Sequence, residues 1–368
     1  MDLTKATQGF AWALVLGCLA GCPPESDGGD RQTDAGASDG ATPNMDTERD
    51  GASGDSAPND AGAENEPAEQ ELIPYGGAGS CDAPEVEELY KHDAILHGIA
   101  VLDGTLYFTG NNGFFSMPSD GSAEPTLLEE KSNSFSDLST LGDDVLVSHF
   151  GNTVMRWRDQ KLTDLNAGGN NFSTHGGTAF TWSSICDHDA DEINAETSRA
   201  AKAFYTPTCI QGFTATERNF YWLDMDFDIN DGDDAQLRRR LRGTEEDVAI
   251  GERATYVKNS VIAVGEELFA MIARSSSLIE DEEELAKIDE STGVITRVAG
   301  PLLTASISAD GDDLFIANER SPSCIYRWDG SKLVAVGRGV GLTQQLAFDE
   351  TYVYVATYGG SVGRALRR

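Results

Sequence analysis

The sequence predicts an all-β fold, a β-propeller of seven four-stranded blades, on three observations. A short apolar triplet recurs seven times, beginning at Leu106, Val145, Ala179, Phe220, Leu268, Leu314 and Val353, with spacings of 34 to 48 residues. A second apolar residue stands seven positions before each triplet: Ile99, Leu138, Phe172, Phe213, Val261, Ile307 and Leu346. Turn formers fill the gap, as in Asp103-Gly104, Gly142-Asp143, Gly176-Gly177, Gly265-Glu266 and Gly311-Asp312.

The unvarying offset with a turn inside it predicts a tight β-hairpin, because a slip of one residue would send every side chain to the opposite face. The middle residues of the triplets are Tyr107, Leu146, Phe180, Tyr221, Phe269, Phe315 and Tyr354. Six of these seven are aromatic in a chain that is 8% aromatic, so the column marks a packing position. A third stretch follows in most copies, a strand, a turn and another strand: "FFSMPSDGSAEPTLL", "VMRWRDQKLTDL", "LAKIDESTGVITRVAG" and "IYRWDGSKLVAVG". Four short strands per unit match a propeller blade, whose radial repetition protects the sheet edges. Six blades is the alternative, should the third unit not be a true blade.

The seventh unit has only three strands. "VEELYKHD", Val86 to Asp93, precedes the first inner strand and is expected to supply the fourth, closing the ring. Two stretches are expected to lie outside the repeat: the insertion "CDHDADEINAETSRAAKAFYTPTC" in the third unit and the acidic loop "DMDFDINDGDD" in the fourth. Trp157 and Trp328 each follow an Arg at equivalent third-strand positions, which points to blade packing.

These units resemble the YWTD and NHL-like propeller repeats of bacterial exported proteins. The residues that carry the resemblance are "LYFT" with "FFSMPSDG", "FYWLD" from Phe220 to Asp224, and "LFIANERSPSCIYRWDG" from Leu314 to Gly330. It spans about Cys81 to Arg368 and implies a fold rather than an activity, since propellers host many functions.

The first 21 residues read as a secretory signal, with Lys5 before the uncharged run Phe10 to Ala20. That run falls short of the roughly 20 apolar residues a membrane span requires. Leu19-Ala20-Gly21-Cys22 resembles the bacterial lipobox. The resemblance implies that Cys22 carries diacylglycerol and an N-acyl chain such as palmitate, enough for stable membrane anchoring. The alternative is an ordinary signal cleaved nearby. Pro23 and Pro24 follow the cysteine in place of Asp, which points to the outer membrane. Residues 22–80 are rich in Gly, Ala, Asp, Ser and Pro and nearly devoid of large apolar side chains. Such a segment cannot offset its ordering entropy, so a disordered acidic tether is expected before the propeller of residues 81–368.

The chain has 27 basic and 62 acidic residues, a formal net charge of −35. Nucleic-acid binding requires a basic surface, so that class is excluded. The basic cluster Leu237 to Arg242, "LRRRLR", is short and flanked by acidic residues. A monomer is expected, with a protein or polysaccharide partner besides the membrane.

Four cysteines remain after the signal and the lipid site: Cys81, Cys186, Cys209 and Cys324. An even number in an exported protein suggests two disulfides. No Cys-x-x-Cys pair points to zinc or thiol redox chemistry. Four cysteines allow about three connectivities. Cys186 with Cys209 would staple the insertion, and Cys81 with Cys324 would pin the ring's seam.

The segment entering each innermost strand lies near the mouth of a propeller's channel. It carries His97, Ser136-Asp137, Asn170-Asn171, Gln211, Asn259-Ser260, Thr304 and Gln344-Gln345. This ring is polar and nearly uncharged. His97, Asp137, Asn170, Asn259 and Gln344 are the ligand candidates, suited to a small polar ligand or glycan. Asp137, Asn170 and Asn259 also suit a hard cation such as calcium, and the plainest alternative is a hydrated channel mouth. Asp224, Asp226 and Asp228 offer a second calcium loop of non-EF type, because a frame starting at Asp226 places Asp231, not Gly, at the sixth position. A solvated loop is the alternative there. No cofactor is required by the sequence.

The histidines, His92, His97, His149, His175 and His188, show no metal spacing. No Gly-x-Ser-x-Gly elbow and no phosphate loop is present. A binding or scaffolding module is therefore the leading expectation. A metal-dependent hydrolase or lyase at the channel mouth is the alternative, with His97, Asp137, Asn170 and Asn259 as its lead residues.

Overall fold

The computed structural model describes residues 81–130, 135–149, 153–175, 177–182, 189–194, 199–205, 209–225, 234–251, 253–256, 260–273, 283–319 and 323–368. Among them every regular element is a strand. The chain enters through β1 (Glu87–Lys91). Blade 1 is β2 (Leu96–Leu102), β3 (Thr105–Gly110), β4 (Gly113–Pro118) and β5 (Thr126–Glu129). Blade 2 is β6 (Phe135–Leu141), β7 (Asp144–His149), β8 (Thr153–Arg158) and β9 (Lys161–Ala167). Blade 3 is β10 (Asn171–His175), β11 (Thr178–Trp182), β12 (Asp189–Asn194) and β13 (Arg199–Tyr205). Blade 4 is β14 (Cys209–Ala215), β15 (Asn219–Met225), β16 (Asp234–Leu241) and β17 (Asp247–Ala249), with the short β18 (Ala254–Thr255) also on β16. Blade 5 is β19 (Ile262–Val264), β20 (Glu267–Ala273), β21 (Glu283–Ile288) and β22 (Ile295–Leu302). Blade 6 is β23 (Thr304–Asp310), β24 (Asp313–Asn318), β25 (Cys324–Trp328) and β26 (Leu333–Arg338). Blade 7 holds β27 (Thr343–Phe348), β28 (Tyr352–Thr357) and β29 (Ser361–Leu366).

Six blades are antiparallel meanders in chain order, and the seventh is ordered β1-β29-β28-β27. The Val86–Asp93 segment thus supplies the missing outer strand, as its sequence position predicts. Glu87 lies opposite Arg364, whose Nε donates to the Glu87 carboxylate at 2.7 Å. A disulfide joins Cys81, six residues before β1, to Cys324 at the start of β25, with Cα atoms 6.1 Å apart. The expected seam staple is present. The Cys186–Cys209 pairing lies outside the described residues, because Cys186 is among those not described.

The third unit corrects one expectation. Its supposed insertion contains β12 and β13, the two outer strands of a regular blade. The acidic stretch of the fourth unit likewise begins in β15 and ends in β16, and 226–233 between them lie outside the described residues. The seven-blade count stands, and the six-blade alternative falls with it.

The register repeats from blade to blade. Six of the seven first-column residues face the third residue of their triplet: Ile99 opposite Phe108, Leu138 opposite Val147, Phe172 opposite Thr181, Phe213 opposite Trp222, Ile307 opposite Ile316 and Leu346 opposite Val355. In blade 1 the turn is Asp103-Gly104, with φ of 49° and 71°, the paired left-handed geometry that matches strand twist. Blades 4 and 7 lack a turn glycine and use side chains instead. Thr216 Oγ1 accepts the Asn219 amide at 3.1 Å, and Asp349 Oδ1 accepts the Thr351 and Tyr352 amides at 2.7 Å each.

The core consists of seven apolar clusters, one between each pair of neighbouring blades. The aromatic column explains them. Tyr107 packs toward blade 2, Leu146 toward blade 3, Phe180 toward blade 4 and Tyr221 toward blade 5. Phe269, Phe315 and Tyr354 pack toward blades 6, 7 and 1. The residues on either side point the other way, as strand alternation requires: Leu106 and Phe108 pack on blade 7, and Val145 and Val147 on blade 1. Each middle residue is thus a wedge for the following blade. Burying such a side chain contributes about 1.5–3 kcal/mol. Trp157 and Trp328 fill the same interfaces, with Trp157 edge-on to Phe114 at 5.5 Å and Trp328 to Phe269 at 6.3 Å.

Candidate functional site at the channel mouth

The inner strands of all seven blades line a central cavity of about 500 Å³. At one end of it the strands carry a recurrent irregularity. The pairing of β2, β6, β14, β23 and β27 slips near the strand start, so that His97, Ser136-Asp137, Gln211, Ala305 and Gln344 fall out of register. These are β-bulges, which break alternation and re-aim a side chain, and they favour barrel rims and sites. The predicted mouth residues are thus largely a ring of bulged residues.

Hydroxyl groups hold the bulges. Thr109 Oγ1 accepts the Gly98 amide at 2.9 Å and donates to the Ser136 carbonyl of the next blade at 2.7 Å. One blade on, Ser148 Oγ accepts the Asp137 amide at 2.9 Å and lies 3.3 Å from the Asn170 carbonyl of blade 3. The inner strands approach so closely that a Cβ on Gly98 would stand 2.6 Å from the Ser136 carbonyl oxygen. Gln345 completes the stitching. Its Oε1 accepts the Ile99 and Leu138 amides at 2.9 and 3.3 Å, and its Nε2 donates to the Leu138 carbonyl at 2.6 Å.

Among the five ligand candidates, Asp137 and Gln344 line the cavity. His97 turns away and hydrogen-bonds Asn111 Oδ1 at 2.6 Å. Asn170 accepts from Asn171 Nδ2 at 2.7 Å, and Asn171, its neighbour, is the one that lines the cavity. Asn259 lies outside the described residues. In the acidic loop, Asp224 is buried and ion-paired with Arg238. Asp226 and Asp228 lie outside the described residues. Among the described residues no three His, Cys, Asp or Glu side chains form a metal-sized cluster.

Asp137 is the distinctive group. Desolvation alone pushes its carboxyl from 3.8 up to about 7. It keeps some accessible surface toward the cavity, so the desolvation is that of a narrow channel rather than a closed core. The other lining carboxylate, Asp310, is ion-paired with Arg367. Among the described residues the lining contains no His, Cys, Lys or Arg. It is otherwise aliphatic, aromatic, hydroxyl and amide.

Sequence reasoning missed Trp182. It is 4% exposed and lines the cavity beside Asn171, and its indole N–H is buried with no acceptor among the described residues. A signal was present: Trp182 stands in a column otherwise held by Thr109, Ser148, Leu223, Met271, Ala317 and Ala356. The Thr304 hydroxyl, which sequence reasoning did place at the mouth, is also buried with no partner among the described residues. The arrangement can present hydrogen-bond donors and acceptors to a guest in a largely desolvated space, with one carboxyl group among them.

Fold and site together define a seven-bladed β-propeller with a polar cavity at its axis. No family model matches the chain, and no curated protein matches it in sequence. Solved structures do match in fold. Virginiamycin B lyase from Staphylococcus aureus aligns with a TM-score of 0.58 at 13% identity, over 77% of this chain and 99% of its own. U3-55K aligns with a TM-score of 0.55 at 12% identity, over 77% of this chain and all of its own (100%). The N-terminal domain of Nup159 aligns at 0.51 and 11% identity, over 78% and 99%. At such identities the likeness shows the propeller fold alone.

Proposed function

We propose that this protein is a lipid-anchored binding module of the bacterial cell envelope, held at the outer membrane through Cys22 and acting on a protein or polysaccharide partner. The observation that carries the binding role is the axial cavity, with its bulged rim, its Asp137 carboxyl and no other unpaired charge among the described lining residues. A monomer suffices, since all seven blade interfaces close within one chain. The lipobox resemblance at Leu19–Cys22 supports the anchor, and the acidic composition of residues 22–80 supports a tether.

Two measurements test the reading. Metabolic palmitate labelling should mark the wild type and spare Cys22→Ala, which should leave the membrane fraction. Purified envelope polysaccharide should be retained by the full-length protein in micelles and lost from the Asp137→Ala/Gln344→Ala variant. Retention unchanged by that variant would move the site elsewhere.

A calcium-dependent hydrolase or lyase is the second reading, and Asp137 is the observation that favours it. The lyase among the fold neighbours adds only the fold. Calcium titration by calorimetry decides: no heat, and no change in Asp137→Ala, would end that reading.

A further inference from the structure

The axial cavity carries one charge that no described residue balances. Two carboxylates line it, Asp137 and Asp310. Asp310 is ion-paired with Arg367, which also donates to the Asp349 carbonyl at 3.0 Å. The Asp137 carboxyl has neither an ion pair nor a hydrogen-bond donor among the described residues, and burial alone pushes it up to about 7. Its backbone is nevertheless held firmly. Ser148 Oγ accepts the Asp137 amide at 2.9 Å, and Gln345 grips both backbone groups of Leu138, the next residue.

The titratable groups on the strands packed against β6 are engaged elsewhere. His97 of β2 bonds Asn111, and Tyr107 of β3 bonds Trp157. On β7, Asp144 pairs with Arg158 and His149 lies edge-on to Phe135 at 6.0 Å. His175 ends β10 at the opposite end of the channel.

A buried charge is normally paired, and an unpaired one costs stability. A guest in the cavity can supply the pair, and its charge is thereby constrained. An anion meets repulsion and finds no Lys, Arg or His among the described lining residues. A neutral guest strips water from the carboxylate and returns no charge. Calcium takes about six to eight oxygens. Among the described residues no three His, Cys, Asp or Glu side chains gather to provide them. The cavity, at about 500 Å³, is sized for a small organic ligand rather than a bare ion.

We propose that the channel mouth binds an organic cation of the ammonium class, with Asp137 as its counter-ion, and that acid switches the binding off. This rests on the binding-module reading above and adds the guest's charge and its pH control. The ammonium has two sources, a free small amine or a lysine side chain of a protein partner. Only ionised Asp137 attracts it. With a midpoint of about 7, the affinity should fall about tenfold from pH 8 to pH 6.

Calorimetry on the full-length protein in nonionic micelles tests this, with micelles alone as the blank. Ethanolamine is compared with its neutral counterpart ethylene glycol, its anionic counterpart glycolate, N-acetyl-lysine amide and calcium. At pH 8 an amine should bind at least about tenfold more tightly than ethylene glycol, the worth of one charged hydrogen bond. Glycolate should give no heat. Asp137→Asn keeps the shape and removes the charge, so it should abolish both the preference and the pH dependence. Asp137→Ser is the second variant should Asp137→Asn misfold, and circular dichroism checks both. Heat from N-acetyl-lysine amide alone assigns the ammonium to a protein partner, and heat from ethanolamine assigns it to a free amine. Equal binding of ethylene glycol, calcium heat without amine heat, no amine heat, an unchanged affinity at pH 6, or a preference that survives in the variants would overturn the proposal. If envelope polysaccharide is still retained while both amines fail, this proposal falls and the binding module stands. If retention fails too, both fall.

Discussion

Gln345, on the inner strand of blade 7, accepts a 2.9 Å hydrogen bond at its side-chain carbonyl from the backbone amide of Ile99 in blade 1. The same side chain reaches Leu138 of blade 2 through both of its polar atoms. One amide therefore spans three blades across the seam of the ring. Gln345→Leu keeps the bulk and leaves the Leu138 carbonyl and the Ile99 amide without this partner. It should cost about 1–3 kcal/mol. Urea unfolding checks this, and an unchanged midpoint would show that the clip adds nothing.

The aromatic column predicts a graded series. Phe269 is fully buried between blades 5 and 6, whereas Tyr107 is only partly buried between blades 1 and 2. Phe269→Ala should cost about 3–5 kcal/mol, the range for truncating a core aromatic. Tyr107→Ala should cost clearly less. Equal losses in thermal or urea unfolding would contradict the wedge assignment.

The Cys81–Cys324 disulfide closes a loop with a sequence separation of 243 residues. Removing it by a Cys81→Ser/Cys324→Ser double substitution should cost about 2–5 kcal/mol. The melting temperature should fall, and adding reductant to the wild type should move it in the same direction. A reductant-insensitive melt would argue that the bond is dispensable.

Asp137 predicts a pH dependence. Its folded pKa of about 7 stands above its ordinary 3.8, so between these values the folded chain binds more protons than the unfolded one. Stability contributed at this site therefore falls as pH rises through that window and levels off above it. Asp137→Asn removes the penalty. The variant should match the wild type near pH 4 and exceed it in urea midpoint at pH 8. A carboxyl titration followed by NMR should place the midpoint near 7.

The hairpins were legible because an invariant seven-residue offset leaves one register that keeps both columns on their faces. The closing strand was legible because the last unit was one strand short. The outer hairpin of blade 3 was not. Its buried residues are Ala190 and Ile193, three apart and therefore on opposite faces, Ala190 toward blade 4 and Ile193 toward blade 2, so the strand shows no apolar alternation on one face. Charged residues around them made the stretch read as an insertion. The mouth ring was legible in position but not in direction. The bulges that place His97 and Asp137 at equivalent positions turn one to Asn111 and the other to the cavity, and nothing in either residue type announces that choice.

β1 is made early and used late. Its partner β29 lies 277 residues further along at the Glu87–Arg364 pair. During synthesis the first strand must wait without its partner β29 until blade 7 has emerged. Pairings this distant are slow to form and leave strand edges exposed meanwhile. The ring is therefore also a length gauge: a chain interrupted anywhere before β29 leaves β1 without the strand that seals it.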